Sequence, residues 1–322
     1  MPIIGKSHAI SHVVHGGVPA GERTMFEDCL VDIIDRIVKN YDSEVIAYRD
    51  ERRHFPSRQR VKDIIKDTRN ILFPRFFEEG AKASSEPKYF VGNTVLRVGE
   101  VLCEQVREAL LFRDGDTKSY KEIDERAHFV VNSFFMNLPT VQDKLLKDVE
   151  AAFDGDPAAQ SREEIIFTYP GFFAVTVYRI AHELYLLDVP LIPRFMTEYA
   201  HAGSGVDLNA GAEVGEYFFI DHATGVVIGE TTRIGNHVKI YQGVTLGALS
   251  TRGGQKLKGV KRHPTIEDNV TIYSNASVLG GDTVIGEGSI ISGSAFVTKS
   301  VPPHSRVTVK NQEVDVRVPK EQ

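Results

Sequence analysis

Between Val206 and Val301 the apolar positions recur every six residues. Leu208, Val214 and Ile220 make one run, and Ile228, Ile234, Ile240 and Leu246 a second. Ile266, Ile272 and Val278 make a third, and Ile285, Ile291 and Val297 a fourth. A helix repeats about every 3.6 residues and an ordinary strand about every two. A period of six, with Gly, Asn, Asp, Thr and Ser between, predicts a parallel β-helix in which each hexapeptide gives a short strand and a turn. Three hexapeptides close one triangular coil, and one apolar side chain per face stacks on the coil below. Turn positions such as Gly215, Gly229, Gly235, Asn236, Gly243, Gly280, Gly281, Gly286 and Gly288 require small residues or a positive φ. Two irregular stretches interrupt the rhythm, Phe218–Glu230 and Gly247–Pro264. The alternative, a β-sandwich of short strands, requires a period of two.

The first half has a different rhythm. Phe26, Leu30, Ile33, Ile34 and Ile37 form one stripe of a helix over Glu22–Asn40. Further helices are predicted at Arg58–Glu79, Asn93–Phe112 and Tyr120–Phe134, and another from an N-cap at Thr140, after Pro139, to Phe153. Phe153–Pro157 breaks that helix. Ser161–Tyr169 and Gly171–Leu187 follow as two helices separated by Pro170, and Phe195–Ser204 connects to the coil. Pro302-Pro303 ends the repeats. The fold class is α+β and multidomain: an all-α domain over residues 1–198 serving packing and oligomerisation, a parallel β-helix over residues 199–303, and a tail over residues 304–322.

The 322 residues carry a net charge of −6. That gives no global basic footprint for nucleic acid. No apolar run reaches the roughly 18 residues of a membrane span, and the N-terminus has no secretory signal. Cys29 and Cys103 read as buried thiols in a reducing cytoplasm, so a cytoplasmic protein without a membrane partner is expected. His8, His12 and His15 have helical spacing that suits a metal in principle; an exposed, poorly ordered terminus is the preferred account of them, and no metal is expected.

Several motifs within and before the coil resemble those of the serine acetyltransferases, hexapeptide-repeat enzymes that make O-acetylserine for cysteine synthesis. They are IDHATG (Ile220–Gly225), VVIGE (Val226–Glu230), YQGVTLGA (Tyr241–Ala248), KRHPTIEDNV (Lys261–Val270) and VPPHS (Val301–Ser305). The likeness extends back through GDPAA (Gly155–Ala159), YPGFFAVTVYRIAHEL (Tyr169–Leu184) and GVDLNAGAEVGE (Gly205–Glu216). It implies a left-handed coil, against the usual right-handed crossover. It also implies direct transfer of acetyl from acetyl-CoA, a co-substrate and not a permanently bound cofactor, to the hydroxyl of L-serine. A homotrimer or a dimer of trimers is implied, because acyl-CoA grooves in this superfamily lie between neighbouring prisms. Inhibition by cysteine is implied as well. Family members that hold O-acetylserine sulfhydrylase end in isoleucine; this chain ends Val318-Pro319-Lys320-Glu321-Gln322, so a stable complex of that kind is not expected.

The chemistry can be argued beside the resemblance. Attack of an alcohol on a thioester needs a base. His222 stands where two extra residues enter the six-residue count, between Ile220 and Ile228, and the insertion lifts the backbone so that its imidazole faces a cleft. A base needs an orienter. Asp207 precedes it by nearly one coil, and the resemblance makes the two a dyad. Asp221 is expected to point away from His222; with Asp156 in the GDP turn, and residues 154–198 generally, the resemblance assigns it to the serine ammonium. Asp156 reads equally as a turn or capping residue. Arg262 suits the serine carboxylate, and His263 can donate to that carboxylate or to the tetrahedral oxyanion. Lys256, Lys258 and Lys261 make a basic loop, either for coenzyme A phosphates or simply solvated. Family positions for the cofactor fall at Ser274, Asn275 and Gly293, and Glu230 is a cofactor-side or structural residue. His182 is a packing or hydrogen-bonded residue. Other readings are acetyl transfer to homoserine or a sugar, a zinc hydratase using His222, His237 and His263, and a coil that serves assembly alone.

Overall fold

The structure, a computed structural model, describes residues 25–43, 55–77 and 86–310. His8, His12, His15 and the last five residues lie outside the described residues. Residues 1–53 form one compact unit and residues 54–322 another. In the first, helix α1 (Met25–Asn40) is the regular element among the described residues. Ile33 and Ile37 of its stripe are exposed, and so is Cys29, which was expected to be buried. No described element of that unit packs over this face. Cys103, in the second unit, is buried as expected.

The second unit carries six helices among its described residues: α2 (Arg58–Leu72), α3 (Pro87–Asp114), α4 (Tyr120–Gly155), α5 (Arg162–Thr168), α6 (Pro170–Leu186) and α7 (Ile192–Ser204). Two differ from the sequence reading in kind. Pro139 lies inside α4, which runs unbroken where an N-cap at Thr140 was expected. An interior proline costs about 3 kcal/mol. Phe134, Leu138, Val141 and Leu145 nevertheless keep one helical stripe across it, all 5% exposed or less, and their burial outweighs that cost. The segment read as a connection is α7; Ile192, Met196, Ala200 and Ser204 are buried at four-residue steps along it.

The coil follows. Its strands are β1 (Asp207–Leu208), β2 (Glu213–Val214), β3 (Phe219–Ile220), β4 (Val227–Ile228), β5 (Arg233–Ile234), β6 (Lys239–Ile240), β7 (Thr245–Gly247), β8 (Thr265–Ile266), β9 (Thr271–Ile272), β10 (Ser277–Leu279), β11 (Val284–Ile285), β12 (Ile290–Ile291), β13 (Phe296–Val297) and β14 (Arg306–Val307). They form three parallel sheets, ordered β1-β4-β7-β10-β13, β2-β5-β8-β11 and β3-β6-β9-β12-β14, here sheets A, B and C. From β1 to β13 successive strands go to successive sheets, which is the triangular coil. The register aligns the expected inward residues: Leu208 with Ile228, Leu246, Val278 and Val297; Val214 with Ile234, Ile266 and Ile285; Ile220 with Ile240, Ile272 and Ile291. Every one of them is buried. Each such side chain contributes about 1.5–3 kcal/mol relative to exposure, so the six-residue rhythm is the main stabilising feature of this half. Pro302-Pro303 does not end the coil. Val301 still bridges to Ile285 and β14 pairs with β12, because the prolines occupy a turn, where no ladder N–H is needed.

Helix α6 fixes the helices to the first coil through one polar edge. Tyr178 donates to the Ala212 carbonyl at 2.6 Å and His182 Nδ1 lies 2.7 Å from the Ala210 carbonyl, so His182 is hydrogen-bonded as expected. Arg179 meets Asp148 of α4 in a bidentate pair, 2.6 and 2.9 Å, and donates to the Gly215 carbonyl at 2.7 Å. Asp148 also accepts from the Phe218 N–H at 2.9 Å. Gly171 allows the start of α6 to reach the coil: a Cβ there would stand 2.3 Å from the Ile220 carbonyl oxygen. Among the described residues no helix is long and apolar enough to cross a membrane.

Candidate functional site

The expected site residues of the coil fall on two edges of the prism, with sheet A between them, and Asp156 stands at the end of α4. The first is the edge from sheet C to sheet A. There β3 ends at Ile220, and the inserted turn follows. His222 and Ala223 have φ of 59° and 66°, left-handed values that cost a non-glycine residue free energy. The turn closes with a hydrogen bond from the Thr224 N–H to the His222 carbonyl, 2.8 Å. It leaves Ala223 fully buried and the His222 side chain 68% exposed. Asp221 is 7% exposed. The expectation that the two neighbours point apart does not hold at their tips: the reversal of the chain at His222 brings Nε2 to 3.8 Å from Asp221 Oδ1.

Asp221 Oδ2 faces Lys239 Nζ at 3.6 Å. Lys239, on β6 (Lys239–Ile240), also donates to the Gly155 carbonyl at the end of α4 and lies over the rings of Phe219 and Tyr241, 4.9 and 4.6 Å from their centroids. Asp156 follows Gly155 and ends α4. One of its oxygens accepts from the Ala158 N–H at 2.9 Å and the other from the Tyr169 hydroxyl. The Tyr169 bond first, then the Ala158 bond, holds its carboxyl below the usual carboxylate range, and His222 and Lys239 act on it in the same direction. Asp156 is thus a turn residue and also a member of the His222 cluster. Asp207, on β1 (Asp207–Leu208), pairs with Val227 across the ladder. Among the described residues its carboxylate makes no hydrogen bond or ion pair, to His222 or otherwise.

Ser274, Asn275 and Gly293 stack above His222 along the same edge. Tyr241 and Tyr273 stack there with ring centroids 4.9 Å apart. Asn275 has φ 60° and donates its N–H to the Gln242 carbonyl, 2.9 Å. A Cβ at Gly293 would stand 3.1 Å from the Ser274 carbonyl oxygen.

The second edge runs from sheet A to sheet B. Residues 248–264 leave the coil here and return at β8 (Thr265–Ile266). Thr231 organises the return. Its hydroxyl accepts from the backbone N–H groups of Arg262 and His263, 2.9 and 3.1 Å, and lies 2.9 Å from His263 Nδ1. Its own N–H donates to the same Nδ1 at 3.1 Å. Nδ1 is therefore an acceptor, and the neutral ring carries its proton on Nε2. His263 is 8% exposed. Burial, then the Arg262 charge, lowers its pKa to about 4, so it is a neutral donor at pH 7. Its ring covers Gly229, where a Cβ would meet Cδ2 at 2.1 Å.

Arg262 pairs with Glu230 and donates to the Leu257 carbonyl at 3.3 Å. The Tyr185 hydroxyl donates to Glu230 over 3.4 Å. Glu230 thus holds the guanidinium in place. Lys261 donates to the Thr231 and Pro264 carbonyls at 2.6 and 3.1 Å, while Lys256 and Lys258 are exposed. His237 stands on the third edge, stacked on Tyr217, so His222, His237 and His263 occupy three different edges of one prism.

The sequence reading missed Thr231, Tyr169, Tyr185 and Lys239. Tyr169 lies in a quoted motif, but its bond to Asp156 depends on how α5 and α6 turn. The one available signal for Lys239 was a charge next to an inward isoleucine, which reads as an ordinary solvated face.

No family model matches the chain. In sequence it is 43% identical over 215 residues to a plasmid serine acetyltransferase of Synechococcus elongatus, covering 65% of this chain and 67% of that protein. It is 46% identical over 165 residues to a serine acetyltransferase of Bacillus pumilus, covering 51% and 73%. Against further curated serine acetyltransferases it spans about half of their length, 45% to 54%. In structure it is similar to serine acetyltransferase 1 of Entamoeba histolytica in complex with L-cysteine, at a TM-score of 0.67 and 36% identity, over 76% of this chain and 86% of that one. That likeness carries the fold class, a helical domain followed by a left-handed parallel β-helix.

Proposed function

The chain belongs to the serine acetyltransferase family, and we propose that it transfers acetyl from acetyl-CoA to the hydroxyl of L-serine, giving O-acetyl-L-serine for cysteine synthesis. The observation that carries this reading is the presence, on two edges of one prism and at the end of α4 beside it, of the groups an amino-acid acceptor needs. Asp221 and Asp156 meet an ammonium, Arg262 a carboxylate, and His222 a hydroxyl. A sugar offers neither ammonium nor carboxylate, and this favours serine over that class of acceptor.

His222 removes the hydroxyl proton as the oxygen attacks the thioester carbonyl carbon. The carbon–sulfur bond then breaks, the thiolate of coenzyme A leaves, and the proton held on His222 returns to it. Asp207 orients the imidazole, as the resemblance implies, once the ring turns from Asp221 toward it. His263 offers Nε2–H either to the acceptor's carboxylate or to the tetrahedral oxyanion. Acetyl-CoA lies along the His222 edge at Ser274, Asn275 and Gly293, with Lys261 and Glu230 toward the second edge.

One prism side is about six residues, or at most about 20 Å. His222 stands on the edge between sheets C and A and Arg262 on the edge between sheets A and B, with the strands of sheet A between them, so we infer that the two do not close on one acceptor within one prism. A trimer, in which the first edge of one prism meets the second edge of the next, supplies both; two trimers pairing through the helices would extend it. We place the protein in the cytoplasm. Cysteine, shaped like serine, competes for the same site. Release of coenzyme A on mixing acetyl-CoA with L-serine, with O-acetyl-L-serine identified by mass, tests the reading.

A further inference from the structure

Lys239 places a fixed cation where the acceptor's ammonium is to be read. Its residue precedes the inward Ile240, so the side chain leaves the coil, and the ladder sets it beside Phe219 and Thr271. The side chain is 21% exposed. Its ammonium is 3.6 Å from Asp221, donates to the Gly155 carbonyl, and is flanked by the Phe219 and Tyr241 rings. The joint is built around it: a Cβ at Gly155 would stand 2.8 Å from the Phe219 ring and 3.5 Å from Lys239 Nζ. Asp156, the next residue, feels the same charge.

Counted together, Asp156 and Asp221 bring two negative charges and Lys239 one positive. With His222 unprotonated, as the base for the hydroxyl must be, one further positive charge closes the balance, and an amino acid's ammonium supplies it. We propose that Lys239 is the built-in counter-ion of the acceptor's ammonium site, which admits one monovalent cation and keeps divalent cations out. The inference rests on the serine acetyltransferase reading. Lys239 touches no reacting atom; it sets the charge of the site and secures the turn that carries Asp156.

Lys239→Gln tests this, because glutamine retains an N–H donor for the Gly155 carbonyl and loses the charge. One unit charge a few ångströms away in a partly buried site alters affinity by about tenfold or more. In Lys239→Gln the KM for L-serine is therefore expected to fall about tenfold, with the KM for acetyl-CoA within about twofold of the parent. Mg²⁺ becomes an inhibitor that serine overcomes. Lys239→Arg keeps the parent behaviour. A folded Lys239→Gln whose KM for L-serine is unchanged or raised overturns the inference, since a purely structural lysine predicts that. So does Mg²⁺ inhibition of the parent protein competitive with serine, a measurement that needs no variant. Calorimetric titration of Mg²⁺ reads the same point without turnover: binding to Lys239→Gln and none to the parent supports the inference, and equal binding overturns it. Absence of coenzyme A release from the parent with L-serine is a different result, and it sinks the serine acetyltransferase reading instead.

Discussion

The backbone N–H of Thr231 donates to Nδ1 of His263 over 3.1 Å, and so Nε2 carries the proton of the neutral ring. The ring is held neutral by burial and by Arg262, with its pKa lowered to about 4. Between about pH 6.5 and about pH 4 the unfolded chain takes up a proton that native His263 refuses, so this histidine costs stability as pH falls through that window. In His263→Gln, the loss of unfolding free energy between pH 7 and pH 4.5 is expected to be smaller than in the parent by about 2 kcal/mol, read from urea midpoints. Equal losses in the two proteins would show that His263 is not held neutral. Glutamine keeps a donor, and His263→Leu removes it; if Nε2–H serves the oxyanion the leucine variant loses about 100-fold in kcat, and if it serves the carboxylate the KM for L-serine rises instead.

His222→Ala is expected to cost at least about 100-fold in kcat, on the scale of a general base. The two aspartates then separate by role. If Asp207 orients the base, Asp207→Asn lowers kcat with little change in the KM for L-serine. If Asp221 reads the ammonium, Asp221→Asn raises that KM. Steady-state kinetics on both variants decide this, and the reverse pattern would transfer the orienting role to Asp221, whose Oδ1 already stands 3.8 Å from His222.

Gly229 lies under the His263 ring, and a Cβ there would stand 2.1 Å from it. Gly229→Ala is therefore expected to displace His263 and lower kcat/KM by about tenfold or more, the usual penalty for a misplaced catalytic group. An alanine variant with parental kinetics would show that the position of this ring does not matter.

Asp148 and Arg179 are 1% and 4% exposed and tie α4 and α6 to the first coil. Removing one partner leaves an uncompensated buried charge. Arg179→Met is expected to destabilise the fold by about 3–5 kcal/mol, measured by urea unfolding. Asp148→Asn together with Arg179→Met is expected to recover part of that loss, because no charge is left unpaired.

The coil was legible in the sequence because one large apolar side chain per six residues stacks inward from Leu208 through Val297; the second buried position, two residues earlier, varies between Val238, Thr232 and Ser289 and left no such mark. The inserted turn was legible for the same reason, as a failure of that count at His222. Helix α4 was misread at Pro139 because the local cost of a proline is visible in a sequence, whereas the tertiary burial of Leu138 and Val141 is not. Lys239 was missed because an outward lysine looks solvated until the end of α4 is known to lie against it. The Asp207–His222 pairing rested on spacing and resemblance, and spacing does not specify which of two nearby carboxylates a side chain meets.

The most direct measurement is coenzyme A release from acetyl-CoA with L-serine, L-homoserine and a sugar presented separately to the full chain. The account predicts release with L-serine well above the other two, with a product of the mass of O-acetylserine. Equal release with a sugar, or none with L-serine, would contradict it.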